Sequence, residues 1–377
     1  MAEIGIGLIG AGWMGRVHAT AYRHVPMAFG AEPAVPRLEL VADIDEDGAR
    51  AVAENFGFAR WTTDWREVVA DARVDAVDIT TPNELHPEVA IAACWAGKAV
   101  YCEKPLALTA AGSREMAEAA READVTTMVG FNYLKNPAQG FARQLIEAGE
   151  IGDVIQFRGT FDIDHMTDPD MPFTWRTERA LAGSGALGDQ ASHTMSFSQY
   201  LVGDIEEVCG MTGTFVAERP LAGGAEMRRV ENDDVVMVLV RYANGGMGCI
   251  EASRMATGRK LWASYEIQGT KGALFFTQER MNELQLYRHG DPPAERGYKT
   301  IYTGPEHPNY AAFQPLPGIG LGYNEQKIIE AHDFIVAVAE GGRAEPDFDF
   351  GHQISRVIDA VLLSVDERRW VRIDEIE

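Results

Sequence analysis

Over the first third of the chain, short and mostly apolar runs alternate with longer stretches of helical period. Ile4–Ile9, Leu38–Ala42, Val74–Thr80, Ala99–Cys102 and Val125–Val129 read as buried strands. The intervening segments 16–24, 48–56, 86–96 and 110–122 read as helices. This alternation predicts a parallel sheet covered by helices on both faces. Residues 25–37 break the spacing and read as an inserted loop. After Asn132 the rhythm changes, which puts a domain boundary near residue 131. One helix, 137–148, precedes alternating β-type runs at 154–161, 235–242, 247–252, 262–269 and 274–277. Asn244-Gly245-Gly246 and Gly269-Thr270-Lys271-Gly272 supply turns between them, so the second domain is predicted to hold a mostly antiparallel sheet. Proline and glycine cluster over 304–322 and predict a long ordered loop.

The length, 377 residues, suits two domains, and 46% hydrophobic residues suffice for full cores. A net charge of −23 argues against nucleic acid and anionic membranes as partners and agrees with a neutral, polyhydroxylated substrate. Cys94, Cys102, Cys209 and Cys249 match no zinc spacing, so no metal is expected; scattered thiols point to a reducing, cytoplasmic setting. The start lacks a signal-peptide pattern, and no apolar run approaches the roughly 20 residues of a membrane span.

Gly10-Ala11-Gly12-Trp13-Met14-Gly15 follows a strand and opens a helix, the setting in which GxGxxG binds a dinucleotide. Gly10 permits the turn, Gly12 lets backbone approach a pyrophosphate, and Gly15 lets helix and strand pack closely. The predicted N-terminal domain is therefore a Rossmann domain. Asp43 ends the second strand, where a carboxylate holds the adenosine ribose and repels the extra phosphate of NADP; this favours NAD. Asp45 is a rival for that role. Thr81-Pro82-Asn83 and His86 follow another strand end and are expected to line the cofactor crevice.

These motifs, with EKPLA at 103–107, GFNY at 130–133, GALGDQASH at 185–193, ANGGMG at 243–248 and GTKG at 269–272, resemble the glucose-fructose oxidoreductase / inositol dehydrogenase (Gfo/Idh/MocA) family. The resemblance implies an α/β chain with a Rossmann domain over 1–131. Residues 132–377 would form an α+β domain on a large open sheet that makes oligomer contacts, in a homo-tetramer. It implies NAD-dependent oxidation of a ring hydroxyl of a sugar or cyclitol. YTGPEHP at 302–308 and GIGLGYNEQKIIEAHDF at 318–334 resemble the branch acting on levoglucosan and related pyranosides at C3, with inositol and L-glucose dehydrogenases nearly as similar. Some relatives instead cleave glycosides by transient oxidation, and others act as sugar-responsive regulators, which tend to lose the catalytic lysine or histidine.

By the same resemblance, Lys104, Asp189 and His193 are the catalytic residues, Glu103, Lys104 and Asn132 face the cofactor, and the Lys104-Pro105 bond is cis. His193 is expected to be the general base, since an imidazole titrates near neutral pH. Lys104 would bond the reacting oxygen, and Asp189 would orient a neighbouring hydroxyl. If residues from Leu187 on are helical, Asp189 and His193 share one face, and Gly183, Gly185 and Gly188 would let the helix start approach substrate. Arg176 and Trp175 are expected to grip the sugar through a guanidinium fork and a flat apolar wall, with Tyr133 and His165 as weaker candidates. The sequence departs from the family pattern at Ala191, where glycine is usual, and at Ser196, where aspartate is frequent.

Overall fold

A computed structural model describes residues 2–224 and 226–377. The chain forms two compact units, Met1–Lys135 with Gly322–Ser355 and Asn136–Leu321 with Arg356–Glu377. In the first unit the apolar runs are too short for helices, and they become strands flanked by amphipathic helices. They are β1 (Ala2–Ile9), α1 (Trp13–Phe29), β2 (Ala34–Ala42), α2 (Glu46–Phe56), β3 (Arg60–Thr62), α3 (Trp65–Ala70), β4 (Ala76–Ile79), α4 (His86–Trp95), β5 (Ala99–Cys102), α5 (Ala110–Ala123) and β6 (Thr127–Val129). The strand order is β3-β2-β1-β4-β5-β6, with every pairing parallel. Strand order therefore reverses between β1 and β4, where doubly wound sheets hold their ligands beyond the carboxyl ends.

The expected loop at 25–37 is mostly regular structure. Helix α1 runs through Pro26 to Phe29, because Val25 continues its buried stripe at 1% exposure. Strand β2 already begins at Ala34, which pairs with Ala2.

The second unit holds α6 (Pro137–Glu147), β7 (Val154–Asp162), α7 (Arg179–Ala182), α8 (Ser192–Leu201), β8 (Ile205–Gly213), β9 (Glu218–Pro220), β10 (Met227–Arg229), β11 (Val235–Tyr242), β12 (Met247–Ser253), β13 (Trp262–Gly269), β14 (Gly272–Thr277), β15 (Glu283–Arg288) and β16 (Lys299–Tyr302). The chain then returns to the first unit with α9 (Tyr323–Glu340) and the start of α10 (Phe348–Glu367), and β17 (Val371–Arg372) closes the sequence in the second. The strand–helix rhythm gave no sign of that return.

Nine strands of the second unit form one sheet, β16-β15-β14-β13-β7-β12-β11-β8-β17, in which β7 and β12 alone run parallel to each other. Strict alternation of buried and exposed positions along β11 shows why: one face is core and the other is not. On the inner face Phe157, Tyr265, Phe276 and, from α8, Phe197 interlock as an aromatic cluster. Tyr265 satisfies its buried hydroxyl by donating to Gln139 Oε1 of α6 at 2.8 Å. The outer face exposes Met211, Met237, Leu239 and Met247. Met237 there sits opposite Met211, and Leu239 is flanked by Cys209 and Cys249. The 304–322 segment is an ordered loop with a single 3-10 turn, Tyr310–Ala312. The buried Tyr310 hydroxyl donates to the Leu316 carbonyl at 3.1 Å, and Asn282 brackets the backbone of Leu321.

Candidate active site

The glycine loop of the first unit is shaped by three different demands. Gly10 has φ +105°, a region that side chains rarely tolerate. A Cβ on Gly15 would lie 2.0 Å from the Gly10 carbonyl oxygen, so helix α1 can approach the loop only because residue 15 lacks one. A Cβ on Gly12 would meet nothing within 4 Å, and Gly12 caps α1 without any side-chain bond. Open space therefore lies over an uncapped helix N-terminus, which fits a pyrophosphate. Trp13 and Met14 form the first turn, and both meet Tyr323 of α9: Trp13 stacks on its ring at 6.0 Å, and the Tyr323 hydroxyl lies 3.8 Å from the Met14 sulfur. Asp43 Oδ2 accepts from the Ala11 amide at 2.6 Å and Oδ1 from the Asp45 amide at 2.9 Å. This fixes the Asp43 carboxylate beside the loop, while Asp45 itself caps α2 in position. Thr80, absent from the sequence expectations, donates to the Gly10 carbonyl at 2.9 Å and ties β4 to the loop.

Thr81, Pro82 and Asn83 follow β4 as expected, and the His86 side chain turns inward. It is fully buried, with Nδ1 3.0 Å from the Pro105 carbonyl and Nε2 3.1 Å from that of Thr81. Burial outweighs those carbonyls and lowers its pKa; the neutral ring donates to only one of the two carbonyls. The Lys104-Pro105 peptide is cis. Asn132 and Tyr133 follow β6 and are buried, Tyr133 edge-on to Tyr323 at 6.0 Å.

The Glu103 carboxylate is held by residues of the scaffold. Oε1 accepts from Lys327 Nζ at 2.6 Å and lies 2.9 Å from His18 Nε2, while Oε2 accepts the Lys104 amide at 3.2 Å. The other His18 nitrogen meets the Asp78 carboxylate at 2.9 Å. Lys327 Nζ also reaches Glu330 Oε2 at 2.9 Å and the Tyr101 hydroxyl at 3.2 Å. Burial alone would raise the Glu103 carboxyl, but Lys327 and His18 hold it well below the usual carboxylate range. Burial would likewise lower His18; Asp78 and Glu103 outweigh it and the nearby Lys327, and the pKa is raised. Facing carboxylates on both nitrogens suit an imidazolium that donates twice. This network was missed in the sequence because its members are single polar residues inside apolar runs.

In the second unit, Asp189 and His193 lie where a π turn, Leu187–Ala191, leads into α8. The sequence predicted plain helix; the wider turn, a form frequent at functional sites, keeps residues four apart nearly in line. His193 is buried and stacks on Phe161 of β7 at 5.5 Å. Asp189 accepts from Gln190 Nε2 at 3.0 Å. Gly185 is required by the protein's own packing, since a Cβ there would lie 1.8 Å from the Asp233 carbonyl oxygen. Arg176 is exposed and lies over the Trp175 ring at 4.4 Å. Partial burial holds the His165 pKa below its ordinary value; Asp189 pulls it up, while Arg254, Arg176 and Arg219 push it down. His165 therefore shares the electrostatic surroundings of Asp189 and Arg176.

Comparison with known proteins matches residues 4–131 to the oxidoreductase family's NAD-binding Rossmann fold and residues 141–275 to the GFO/IDH/MocA C-terminal domain. The chain belongs to the GFO/IDH/MocA family. It is 43% identical to levoglucosan dehydrogenase of Pseudarthrobacter phenanthrenivorans, covering 100% of both chains. A solved structure of levoglucosan dehydrogenase in complex with NADH and L-sorbose superposes with a TM-score of 0.97 at 43% identity, covering 99% of each chain. Myo-inositol 2-dehydrogenase of Thermotoga maritima is 27% identical, covering 98% of this chain and 99% of that one. The expected family, α/β class and NAD-binding domain thus stand. Among the residues of this GFO/IDH/MocA chain that were not foreseen, Asn232, Asp233 and Asp234 carry the most structural weight. Three consecutive polar residues directly before an alternating strand were the available signal.

Proposed function

We propose that this chain is an NAD-dependent dehydrogenase that oxidises a secondary ring hydroxyl of a levoglucosan- or glucoside-like sugar, at C3, to the ketone. The observation that carries this reading is full-length similarity to levoglucosan dehydrogenase, beside the Lys104, Asp189 and His193 that the family resemblance assigns to catalysis. The chemistry supplied by NAD when bound is acceptance of the hydride. Gly10, Gly12 and Gly15 with the first turn of α1 hold its pyrophosphate, and Asp43 holds its ribose hydroxyls and disfavours the phosphate of NADP. Thr81, Pro82, Asn83 and Asn132 line its site.

His193 removes the hydroxyl proton on its imidazole, with Phe161 fixing the ring plane. Lys104 donates to the same oxygen and favours its alkoxide character; the bond from its own amide to Glu103 steadies its backbone. Asp189 orients an adjacent hydroxyl. Arg176 donates to vicinal hydroxyls, Trp175 supplies a flat wall for ring C–H groups, and Tyr133 contributes to the substrate site. Cyclitol oxidation is the second reading, favoured by the inositol dehydrogenases among the relatives.

Residues 1–131 serve the cofactor, and 132–377 serve substrate and self-association, with Gly322–Ser355 folded into the first unit. The outer sheet face with Met211, Met237, Leu239 and Met247 supports a homo-oligomer, a tetramer by family likeness. Four free cysteines support a cytoplasmic setting.

The test is NADH formation with levoglucosan, methyl glucosides, D- and L-glucose, and myo- and scyllo-inositol, with NADP in parallel. A rate with one pyranoside and NAD, abolished in His193→Asn, is the expected result. Release of aglycone without net NADH, or NAD binding with no turnover of any polyol, would overturn it.

A further inference from the structure

The residues just before β11 touch both segments that carry the candidate substrate groups. Asn232 is fully buried, and its Nδ2 donates to the Arg176 carbonyl at 3.0 Å. One residue earlier, the Glu231 amide donates to the Thr177 carbonyl at 3.2 Å, and its carboxylate accepts from the Arg179 amide at 3.1 Å. One residue later, the Asp233 carboxylate accepts the amides of Gly185 and Leu187, each at 2.8 Å. The Asp233 carbonyl takes the amide between them, that of Ala186, at 2.9 Å. Asp234 anchors the segment: Oδ1 pairs with Arg254 Nε at 2.8 Å, both groups buried, and Oδ2 accepts the amides of Phe215 and Val216. With residue 185 a glycine, backbone lies on backbone and leaves no lateral slack.

We propose that Asn232–Asp234 is a positioning strap that sets the spacing of Arg176 from the π turn bearing Asp189 and His193. It thereby selects which ring hydroxyl is presented to the base. The strap rests on the reading that Arg176 grips the sugar. It touches no reacting atom and acts through two backbones. Displacements of an ångström matter at this level, because a sugar offers adjacent hydroxyls of similar chemistry. Asn232 and Asp233 divide the work: the former holds the gripping loop, the latter the catalytic turn.

The test is a double-mutant cycle on the full chain with levoglucosan and NAD, using Asn232→Ala, Arg176→Ala and both together. Asn232→Ser, whose hydroxyl is too short to reach the Arg176 carbonyl, runs beside it in case the alanine variant folds poorly. Asn232→Ala is expected to raise the levoglucosan KM about three- to tenfold, the span of one lost neutral hydrogen bond. NAD affinity should be unchanged. In the Arg176→Ala background the same substitution should add nothing, since both act through one contact. A merely structural role would instead give additive losses and a weaker grip on NAD. Additive effects, or an unchanged KM in both Asn232 variants, would overturn the strap while leaving the substrate reading intact. An unchanged KM in Arg176→Ala alone would overturn both.

Discussion

Removing the Lys327 ammonium is the sharpest test of how the first unit is held together. Its Nζ lies 2.6 Å from Glu103 Oε1, 2.9 Å from Glu330 Oε2 and 3.2 Å from the Tyr101 hydroxyl, at 1% side-chain exposure. Lys327→Met keeps the stem and deletes the charge, leaving Glu103 with His18 and the Lys104 amide, and Glu330 with the Tyr101 hydroxyl beside another carboxylate. Breaking a buried pair from one side costs about 3–5 kcal/mol, because the charge left behind is neither solvated nor paired. Glu330 should behave differently. Burial and Glu103 raise its pKa against the pull of Lys327, and Glu330→Gln leaves the Glu103–Lys327 and Glu103–His18 contacts in place, so it costs less. Hydrogen exchange of the β4 and β5 amides reads this locally. In Lys327→Met they should open about a hundred- to several-thousand-fold more often, and in Glu330→Gln by less than about tenfold. Adding Glu103→Gln to Lys327→Met should recover part of the loss. Exchange in Lys327→Met within about tenfold of the parent would refute the argument, since the cation would then not be compensating buried charge.

Three further outcomes are expected. Gly15→Ala forces a Cβ against the Gly10 carbonyl and should cost about 1–3 kcal/mol of packing, seen as weaker NAD binding by titration; unchanged affinity would contradict the loop geometry. His18 has a raised pKa, so its contribution is present below the ordinary histidine value and is lost as pH rises through the raised one. The Tm gap between the parent and His18→Gln should therefore narrow with rising pH, whereas a widening gap would reverse the assignment. Phe157→Ala should lower stability by about 3–5 kcal/mol in urea unfolding, because the ring is fully buried among Tyr265 and Tyr242; a loss under about 1 kcal/mol would contradict that packing.

What could be read from the chain depended on whether a residue's role is local. Gly10, Gly12 and Gly15 were legible because a tight turn beside a helix start is a contiguous demand, met within six residues. Strands β1, β2, β4, β5 and β6 were legible because burial on both faces makes each a short, mostly apolar run; β3, with Arg60 and an exposed Trp61, was not. Helix α9 was not, although it is long. Its inward face carries Gln326, Lys327 and Glu330, all buried, so the apolar period that announces a helix is interrupted where it packs hardest. The inserted loop at 25–37 failed for the opposite reason: Pro26 and Pro36 look like punctuation, yet one sits in α1 and the other in a strand end paired to Ile4. The buried partners of Glu103 and His86 were not legible because a motif records which residues recur together without saying which of them face inward. A carboxylate next to Lys104 is equally compatible with touching a ligand and with holding the turn that does. The decisive facts are the partners supplied from distant positions, Lys327 for Glu103 and the Pro105 carbonyl for His86, and no local spacing encodes them. The same reasoning explains the Asn232–Asp234 strap. Each residue there bonds a backbone group some tens of positions away, so the polar run before β11 marks the place but its role becomes visible only when both ends of the contact are placed.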